Sequence, residues 1–277
     1  MEKLFIKNRH NQKLAVVVEK RPSQAGLAFV MHGQSGFKEQ PHVRTFIDAF
    51  LEKGFTVVSF DVANTIGESE GNASDATITS YYEDLVDVVK WSESQEWYEE
   101  PFALAGHSLG GICSALYAEN HPSKVKALAP ISTVVSGKLS YEAHPKEELK
   151  EWKRTGWQIK HSKSKPGVTI RLPWSNMEDR LKYDLLKKAG QLTMPVLLIV
   201  GEKDDGTPPK HQKLLFDAIP GNKELHVIRD APHTFREKAQ LDEIKYIFLK
   251  WIDKVKAFAA KEKSNKIVSH GFGGGKT

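Results

Sequence analysis

The pentapeptide Gly-His-Ser-Leu-Gly at residues 106–110 carries the most specific chemistry in the sequence. It follows an apolar run at 102–105 and precedes a helix-like stretch at 111–120. A G-x-S-x-G pattern between a strand and a helix is typical of a nucleophile elbow, a tight turn that projects the serine hydroxyl above a sheet. The two glycines remove side chains that would collide in such a turn. The pattern therefore predicts that Ser108 is a nucleophile.

A serine hydroxyl needs a base to take its proton, and the base needs a carboxylate to orient it. Where a nucleophile elbow is used, the acid and the histidine follow the serine in that order along the chain. The loop after the apolar run 196–200 contains Asp204, which we assign as the acid, with Asp205 as the alternative. The loop after the last predicted strand contains one histidine, His233, which we assign as the base.

Acyl transfer also requires two N–H groups that receive the negative charge on the former carbonyl oxygen. One is expected to be the backbone N–H of Leu109, directly after the nucleophile. The other is expected from the loop after the apolar run 27–31, which reads His-Gly-Gln-Ser-Gly, through the backbone of Gln34.

Continuous apolar runs alternate with helix-like stretches along most of the chain. This alternation predicts an α/β protein with a mainly parallel, doubly wound sheet, and the first two strands are expected to form an antiparallel edge. The alternation stops between 135 and about 190, where we predict a short cap inserted into the core. The predicted division is a first core part at 1–134, the cap at 135–190, a second core part at 191–260 and a disordered tail at 261–277.

Three of the six tryptophans, Trp152, Trp157 and Trp174, lie in the predicted cap. Large aromatic side chains line many ligand pockets, so these three are predicted to shape an apolar or aromatic acyl pocket. The alternative is that the segment is a second packing layer with no role in substrate binding.

The single cysteine, Cys113, excludes an internal disulfide. The first twenty residues lack the apolar stretch of a secretory signal, and no segment has the length of a membrane span. We therefore expect a cytoplasmic protein that acts on a small molecule and binds neither a membrane nor nucleic acid. The oligomeric state stays open, a homodimer included.

The net charge of +5 is unevenly distributed. Residues 134–191 contain 13 Lys and Arg against 7 Asp and Glu. The spacing of the basic residues is typical of solvated helix faces. A second interpretation is that this basic segment attracts an anionic substrate.

Taken in order, these segments resemble the α/β-hydrolase superfamily over residues 1–260. The resemblance rests on His32-Gly33, Phe60-Asp61, the pentapeptide 106–110, Gly201-x-x-Asp204 and His233. The short cap and the His-Thr-Phe at 233–235 are similar to small bacterial carboxylesterases of the cinnamoyl/feruloyl esterase type. The resemblance implies hydrolysis of carboxylic esters with neither metal nor cofactor. One departure lies at 61–69, where the arginine and one glycine of the D-x-R-G-x-G-x-S pattern of such relatives are missing.

These observations predict a serine carboxylesterase that works through an acyl-enzyme. The alternatives on the same residues are a thioesterase, a C–C hydrolase, an acyltransferase or a peptidase, since a fold does not determine its chemistry. A hydrolase-shaped binding protein without turnover is a further alternative.

Overall fold

The computed structural model describes the backbone of residues 1–162 and 164–271 and the side chains of these residues through 258. The strands are β1 Glu2–Lys7, β2 Lys13–Glu19, β3 Gly26–Met31, β4 Phe55–Phe60, β5 Phe102–His107, β6 Val125–Ile131, β7 Trp157–His161, β8 Thr169–Pro173, β9 Val196–Gly201 and β10 Lys223–Ile228. The helices are α1 Pro41–Glu52, α2 Ile78–Ser92, α3 Leu109–Asn120, α4 Gly137–Ala143, α5 Lys146–Thr155, α6 Trp174–Arg180, α7 Pro209–Ala218 and α8 Lys238–Gly271.

Eight strands form one sheet in the order β1-β2-β4-β3-β5-β6-β9-β10. Strand β2 is antiparallel to both of its neighbours, and the pairs from β4 through β10 are parallel. The predicted mainly parallel sheet with an antiparallel edge is confirmed. Strand β5, which leads to Ser108, lies between β3 and β6, so the serine stands near the middle of the sheet.

Helices cover both faces of this sheet, which explains why its central strands are mostly apolar on both faces. Alternate residues of β3 point to opposite faces: Phe29 packs in the layer with α2 and α3, and Val30 in the layer with α1 and α8. All six residues of β3 are buried, as are all six of β5. A core buried on both faces holds the carboxyl ends of these strands in fixed positions, and the predicted site residues follow those ends.

The segment between β6 and β9 forms a small layer of its own. It contains α4, α5, the antiparallel hairpin β7–β8 and α6. Its apolar cluster includes Leu149, Trp152, Ile170, Leu172 and Met177. We call this segment the cap. It contacts the core through Thr79, whose backbone N–H donates to Asp179 at 3.1 Å.

Several elements differ from the sequence-based expectations. The sequence at 176–188 favours a single helix, whereas the structure has the shorter α6, followed by two turns of 3-10 helix. The segment expected to be disordered from 261 begins inside α8, which continues to Gly271; residues 272–277 lie outside the described residues. In the described part of the chain, none of the helices combines the length and the apolar character needed to cross a membrane.

Candidate active site

The turn between β5 and α3 holds Ser108 in a backbone conformation that L-residues rarely adopt, with φ 56° and ψ −111°. Gly106 makes this turn possible, because a Cβ at its position would lie 2.3 Å from the carbonyl oxygen of Gly110. A non-glycine residue at positive φ is strained, and such strain is concentrated at functional sites. The sequence pattern thus produces the expected elbow, and Ser108 stands at the start of α3.

Ser108, His233 and Asp204 form one chain of hydrogen bonds. The Ser108 Oγ lies 3.0 Å from Nε2 of His233, and Nδ1 of the same ring lies 2.9 Å from Oδ2 of Asp204. An ionised carboxylate only accepts hydrogen bonds, so Nδ1 carries the hydrogen and Nε2 is free to accept the serine proton. The residues that the sequence assigns as nucleophile, base and acid therefore meet in the order that proton transfer from Ser108 requires. Asp205, the alternative acid, is exposed.

The Asp204 carboxylate is buried and fully hydrogen-bonded. Its Oδ1 accepts backbone N–H bonds from Gly206 at 3.1 Å and Thr207 at 2.8 Å, and its Oδ2 lies 2.8 Å from the Thr207 hydroxyl. Burial alone would raise the pKa of Asp204, but the hydrogen bonds from His233 and Thr207 outweigh it and lower the pKa to about 2. The carboxylate therefore stays charged and can stabilise a protonated His233. Sequence reasoning missed Thr207, for which only its place three residues after Asp204 could serve as a signal.

A second histidine holds the backbone of the base. The Nε2 of His107 lies 2.8 Å from the carbonyl oxygen of His233, so the His107 ring donates this bond. Burial, and then the neighbouring His233, lower the pKa of His107 to about 3, which keeps the ring neutral. His107 is the variable residue before Ser108 in the pentapeptide, so the elbow and the His233 loop are directly joined.

The loop after β3 lies against the nucleophile. A Cβ at Gly33 would be 3.1 Å from Cβ of Ser108, which explains the glycine beside Gln34. Neither the backbone N–H of Gln34 nor that of Leu109 has a hydrogen-bond partner among the residues that the structure describes. Leu109 begins α3, where the first N–H groups of a helix lack internal acceptors. Both N–H groups predicted for the oxyanion are thus available next to Ser108.

Three charged residues hold this loop at its far end. Lys38 is buried, and its Nζ lies 2.8 Å from Asp61 and 2.6 Å from Glu68. Its backbone N–H also donates to Asp61 at 2.7 Å. Burial pushes the pKa of Lys38 down, but the carboxylates outweigh it and raise the pKa above its usual value. Sequence reasoning missed Lys38 and Glu68; the available signal was the departure from the pattern of the relatives at 61–69, a segment that contains Glu68.

The three cap tryptophans occupy different environments. Trp152 is buried in the cap cluster, and its indole N–H donates to the carbonyl oxygen of Leu172 at 3.0 Å. Trp174 is half-buried and packs edge-on against Trp152 with ring centroids 5.5 Å apart. Trp157 is 41% exposed, and the Arg171 guanidinium lies over its ring. Their predicted role in substrate binding stays a prediction.

The sheet order, the strained serine on its elbow and the Ser-His-Asp hydrogen bonds define an α/β hydrolase of the serine-hydrolase class. Within this class, the chain belongs to the family described as serine aminopeptidase, S33, whose model matches residues 24–238.

Curated relatives include an uncharacterised 31.7 kDa protein of the traX-finO intergenic region of Escherichia coli. It is 26% identical over 261 residues, which cover 82% of this chain and 90% of that protein. The mitochondrial palmitoyl-protein thioesterase ABHD10 of mouse is 30% identical over 192 residues, which cover 68% of this chain and 62% of that protein.

Among solved structures, Est1E of Butyrivibrio proteoclasticus with bound ferulic acid superposes with a TM-score of 0.78 at 18% identity. The match covers 92% of this chain and 99% of that one. The structure of mouse ABHD10 gives a TM-score of 0.75 at 25% identity and covers 92% and 100% of the two chains. Both superpositions confirm the α/β-hydrolase fold that the resemblance in sequence implied.

Proposed function

We propose that this protein is a serine esterase that hydrolyses carboxylic esters through an acyl-enzyme on Ser108. The observation that carries the proposal is the unbroken series of contacts from Ser108 Oγ to His233, at 3.0 Å, and from His233 to Asp204, at 2.9 Å. Both distances are within the range needed for proton transfer and for orientation of the base.

In the first half of the reaction, Ser108 Oγ attacks the acyl carbon while Nε2 of His233 takes the hydroxyl proton. The carbonyl π electrons move onto the oxygen, which the backbone N–H groups of Gln34 and Leu109 stabilise. The tetrahedral intermediate then collapses as the C–O bond to the alcohol breaks. His233 returns its proton to the departing alkoxide, so the products are the free alcohol and an ester of Ser108.

In the second half, His233 removes a proton from a water molecule that attacks the acyl-enzyme. The same two N–H groups stabilise the second tetrahedral intermediate, and His233 then protonates Ser108 Oγ as the acid leaves. Asp204 remains charged throughout and stabilises the protonated imidazole.

The cap contacts the loop of Gln34 through Arg180, and in this proposal it selects the substrate. We propose that Trp152, Trp157 and Trp174 shape the acyl pocket. Trp174 is half-buried at the edge of the cap cluster, and Trp152 fixes its position by packing against it. An aromatic wall of this kind favours apolar or aromatic acyl groups.

The test is hydrolysis of p-nitrophenyl esters from acetate to octanoate, and of methyl ferulate, by the wild type and by Ser108→Ala. We expect clear turnover by the wild type and a loss of at least about 10³-fold in the variant. Ser114→Ala, which truncates a buried serine elsewhere on α3, is the matched control and should keep its activity. A folded wild type that hydrolyses none of these esters would refute the esterase.

A thioesterase on the same residues is the second candidate, because the mouse relative at 30% identity is a palmitoyl-protein thioesterase. The mechanism is unchanged, except that a thiolate leaves in place of an alkoxide. Parallel assays with octanoyl and palmitoyl thioesters and the corresponding oxygen esters separate the two candidates by their kcat/KM ratio. Cleavage of an aminoacyl p-nitroanilide would instead favour the peptidase that the family description names.

A further inference from the structure

The cap places a buried cation beside Gln34. Arg180, the last residue of α6, is only 7% exposed. Its Nη1 donates to Ser140 Oγ at 2.9 Å, and its Nη2 donates to Gln34 Oε1 at 2.9 Å and to Asn176 Oδ1 at 3.1 Å. All three acceptors are neutral oxygens, so they satisfy part of the guanidinium without neutralising its charge.

Two buried donors at this place have no partner among the described residues. They are Nε of Arg180 and Nε2 of Gln34, and the two side chains are joined to each other by the Nη2–Oε1 bond. An unpaired buried donor costs about 1–3 kcal/mol. Two adjacent ones, one of them on a cation, define a place where an oxygen acceptor would be strongly favoured.

No carboxylate pairs with Arg180 within the described part of the chain. The neighbouring Asp179 accepts instead from Thr79 and from Lys182, whose Nζ lies at 3.3 Å. Burial lowers the pKa of Arg180 to about 10, and the charge of the nearby Asp179 opposes this shift without outweighing it.

A second cation lies close by. Burial among surrounding protein, and then the charge of Arg180, lower the pKa of Lys160 to about 8. Glu148 and Asp205 act in the opposite direction but do not outweigh these effects. The Lys160 side chain is nevertheless exposed to solvent and does not lie in the core.

We propose that Arg180, with the side-chain amide of Gln34, binds a carboxylate carried by the substrate. This inference rests on the proposed function and names its substrate class: esters with a second, negatively charged group. The two unpaired donors suit two carboxylate oxygens, and Arg is the side chain best adapted to such binding.

The position of this subsite relative to the reacting bond follows from Gln34. Its side chain contacts Arg180, while its backbone N–H is the proposed oxyanion donor and the preceding Gly33 lies against Ser108. The bound carboxylate would therefore lie about one side-chain length from the ester carbonyl. A water molecule could satisfy the unpaired donors, but only an anion would also balance the buried charge.

The first measurement uses two matched substrate pairs and the wild-type enzyme. On the acyl side the pair is the mono-4-nitrophenyl ester of adipate against that of adipamic acid, its neutral amide. On the alcohol side the pair is 4-acetoxybutanoate against 4-acetoxybutanamide, followed by pH-stat. Ser108→Ala supplies the background rate. We expect kcat/KM to favour the carboxylate by about 10- to 100-fold in one pair, since a charge-assisted hydrogen bond has that strength. A ratio near one in both pairs would overturn the proposal.

The second measurement uses variants. Arg180→Met should bring the carboxylate-to-amide ratio close to one, and Arg180→Lys should retain part of it. Lys182→Met also removes one positive charge. Lys182 is exposed and lies two residues after Arg180, so this variant should leave the ratio unchanged. If Arg180→Met slows both members of a pair equally, Arg180 only positions Gln34 and the proposal is wrong. If Arg180→Met fails to fold, the carboxylate-to-amide ratios of kcat/KM for the wild type still test the proposal.

Binding of adipate to the Ser108→Ala protein, measured by calorimetry with adipamide as the neutral probe, separates this inference from the esterase itself. Binding of adipate that Arg180→Lys weakens would support the anion subsite even if no ester is hydrolysed. Ester hydrolysis without any preference for adipate over adipamide would leave the esterase standing and refute the subsite.

Discussion

In the proposed mechanism, the Asp204 carboxylate acts through His233 and does not contact the substrate. We predict that Asp204→Asn lowers kcat by about 10³- to 10⁴-fold, because an amide cannot stabilise the protonated imidazole and favours the wrong tautomer. KM should change much less than kcat. The measurement is steady-state hydrolysis of the best p-nitrophenyl ester.

Asp205→Asn is the matched control for this prediction. Asp205 is the adjacent residue, with the same side chain but an exposed position. Its replacement should leave kcat within about twofold, as is usual for surface substitutions. A larger loss of kcat in Asp205→Asn than in Asp204→Asn would mean that Asp205, and not Asp204, is the acid.

The site residues that follow core strands could be predicted from the sequence, whereas the site residue in the cap could not. Ser108 and Asp204 each follow a run of apolar residues and His233 follows the last strand, so their position at one edge of the sheet follows from the parallel topology. Arg180 carries no such signal, because its contact with Gln34 depends on how the cap folds over the core. Thr207 lies in an irregular loop whose conformation no periodicity reveals.

At the scale of elements, the loop from β3 to α1 depends on the buried cation Lys38. We predict that Lys38→Met lowers the free energy of unfolding by about 3 kcal/mol or more, because it leaves the Asp61 carboxylate buried without its partner. Activity should also fall, since the same loop carries Gln34. Urea denaturation, followed by circular dichroism, measures the first effect, and kcat measures the second.

Lys3→Met is the matched control, because Lys3 also pairs with Glu68 but at the surface. The side chains of this pair are 45% and 42% exposed, whereas that of Lys38 is 2% exposed. Surface ion pairs contribute about 0–1 kcal/mol, so the control should change stability little. Equal effects of the two substitutions would mean that burial of Lys38 does not matter for the loop.

The elements that the sequence predicted are those with strong patterns. Strands β3, β5 and β9 are continuous apolar runs, whereas β7 and β8 each bury one or two side chains and were missed. Helix α7 was missed for a similar reason: it begins at a pair of prolines and buries only three of its ten residues. Short, mostly exposed elements have too few apolar positions to establish a period.

At the scale of the whole molecule, the structure shows which basic side chains of the segment 134–191 are exposed and which is buried. Most of its Lys and Arg side chains are solvated, as the first interpretation of the sequence held. Among the described residues of this segment, Arg180 is the buried exception, and it lies beside the proposed site. Composition alone cannot distinguish one buried cation from many exposed ones, because the difference lies in how the cap packs on the core.

The buried titratable groups predict how the stability of the whole protein depends on pH. Burial lowers the pKa of His32, His42 and His107 below the unfolded value of 6.5. Below pH 6.5 the unfolded chain therefore binds more protons at these three sites than the native protein, and stability falls as the pH decreases. Burial raises the pKa of Glu119 to about 8. Between pH 4.5 and pH 8 the native protein therefore binds more protons at Glu119 than the unfolded chain does, and this contribution to stability falls as the pH increases. The pKa of Asp84 is raised to about 6, so its contribution to stability opposes that of the histidines only below pH 6.

We accordingly expect the free energy of unfolding to be greatest near pH 6.5 and to decline by about 1–2 kcal/mol towards pH 5. Urea denaturation at pH 5, 6, 7 and 8 measures this profile. His42→Leu is the informative variant, because both ring nitrogens of His42 are buried without a partner. It should reduce the loss between pH 6.5 and 5, whereas His161→Leu, which removes an exposed ring, should leave the profile unchanged. An identical acid decline in wild type and His42→Leu would show that His42 is protonated in the native protein and would remove it from this account of acid stability.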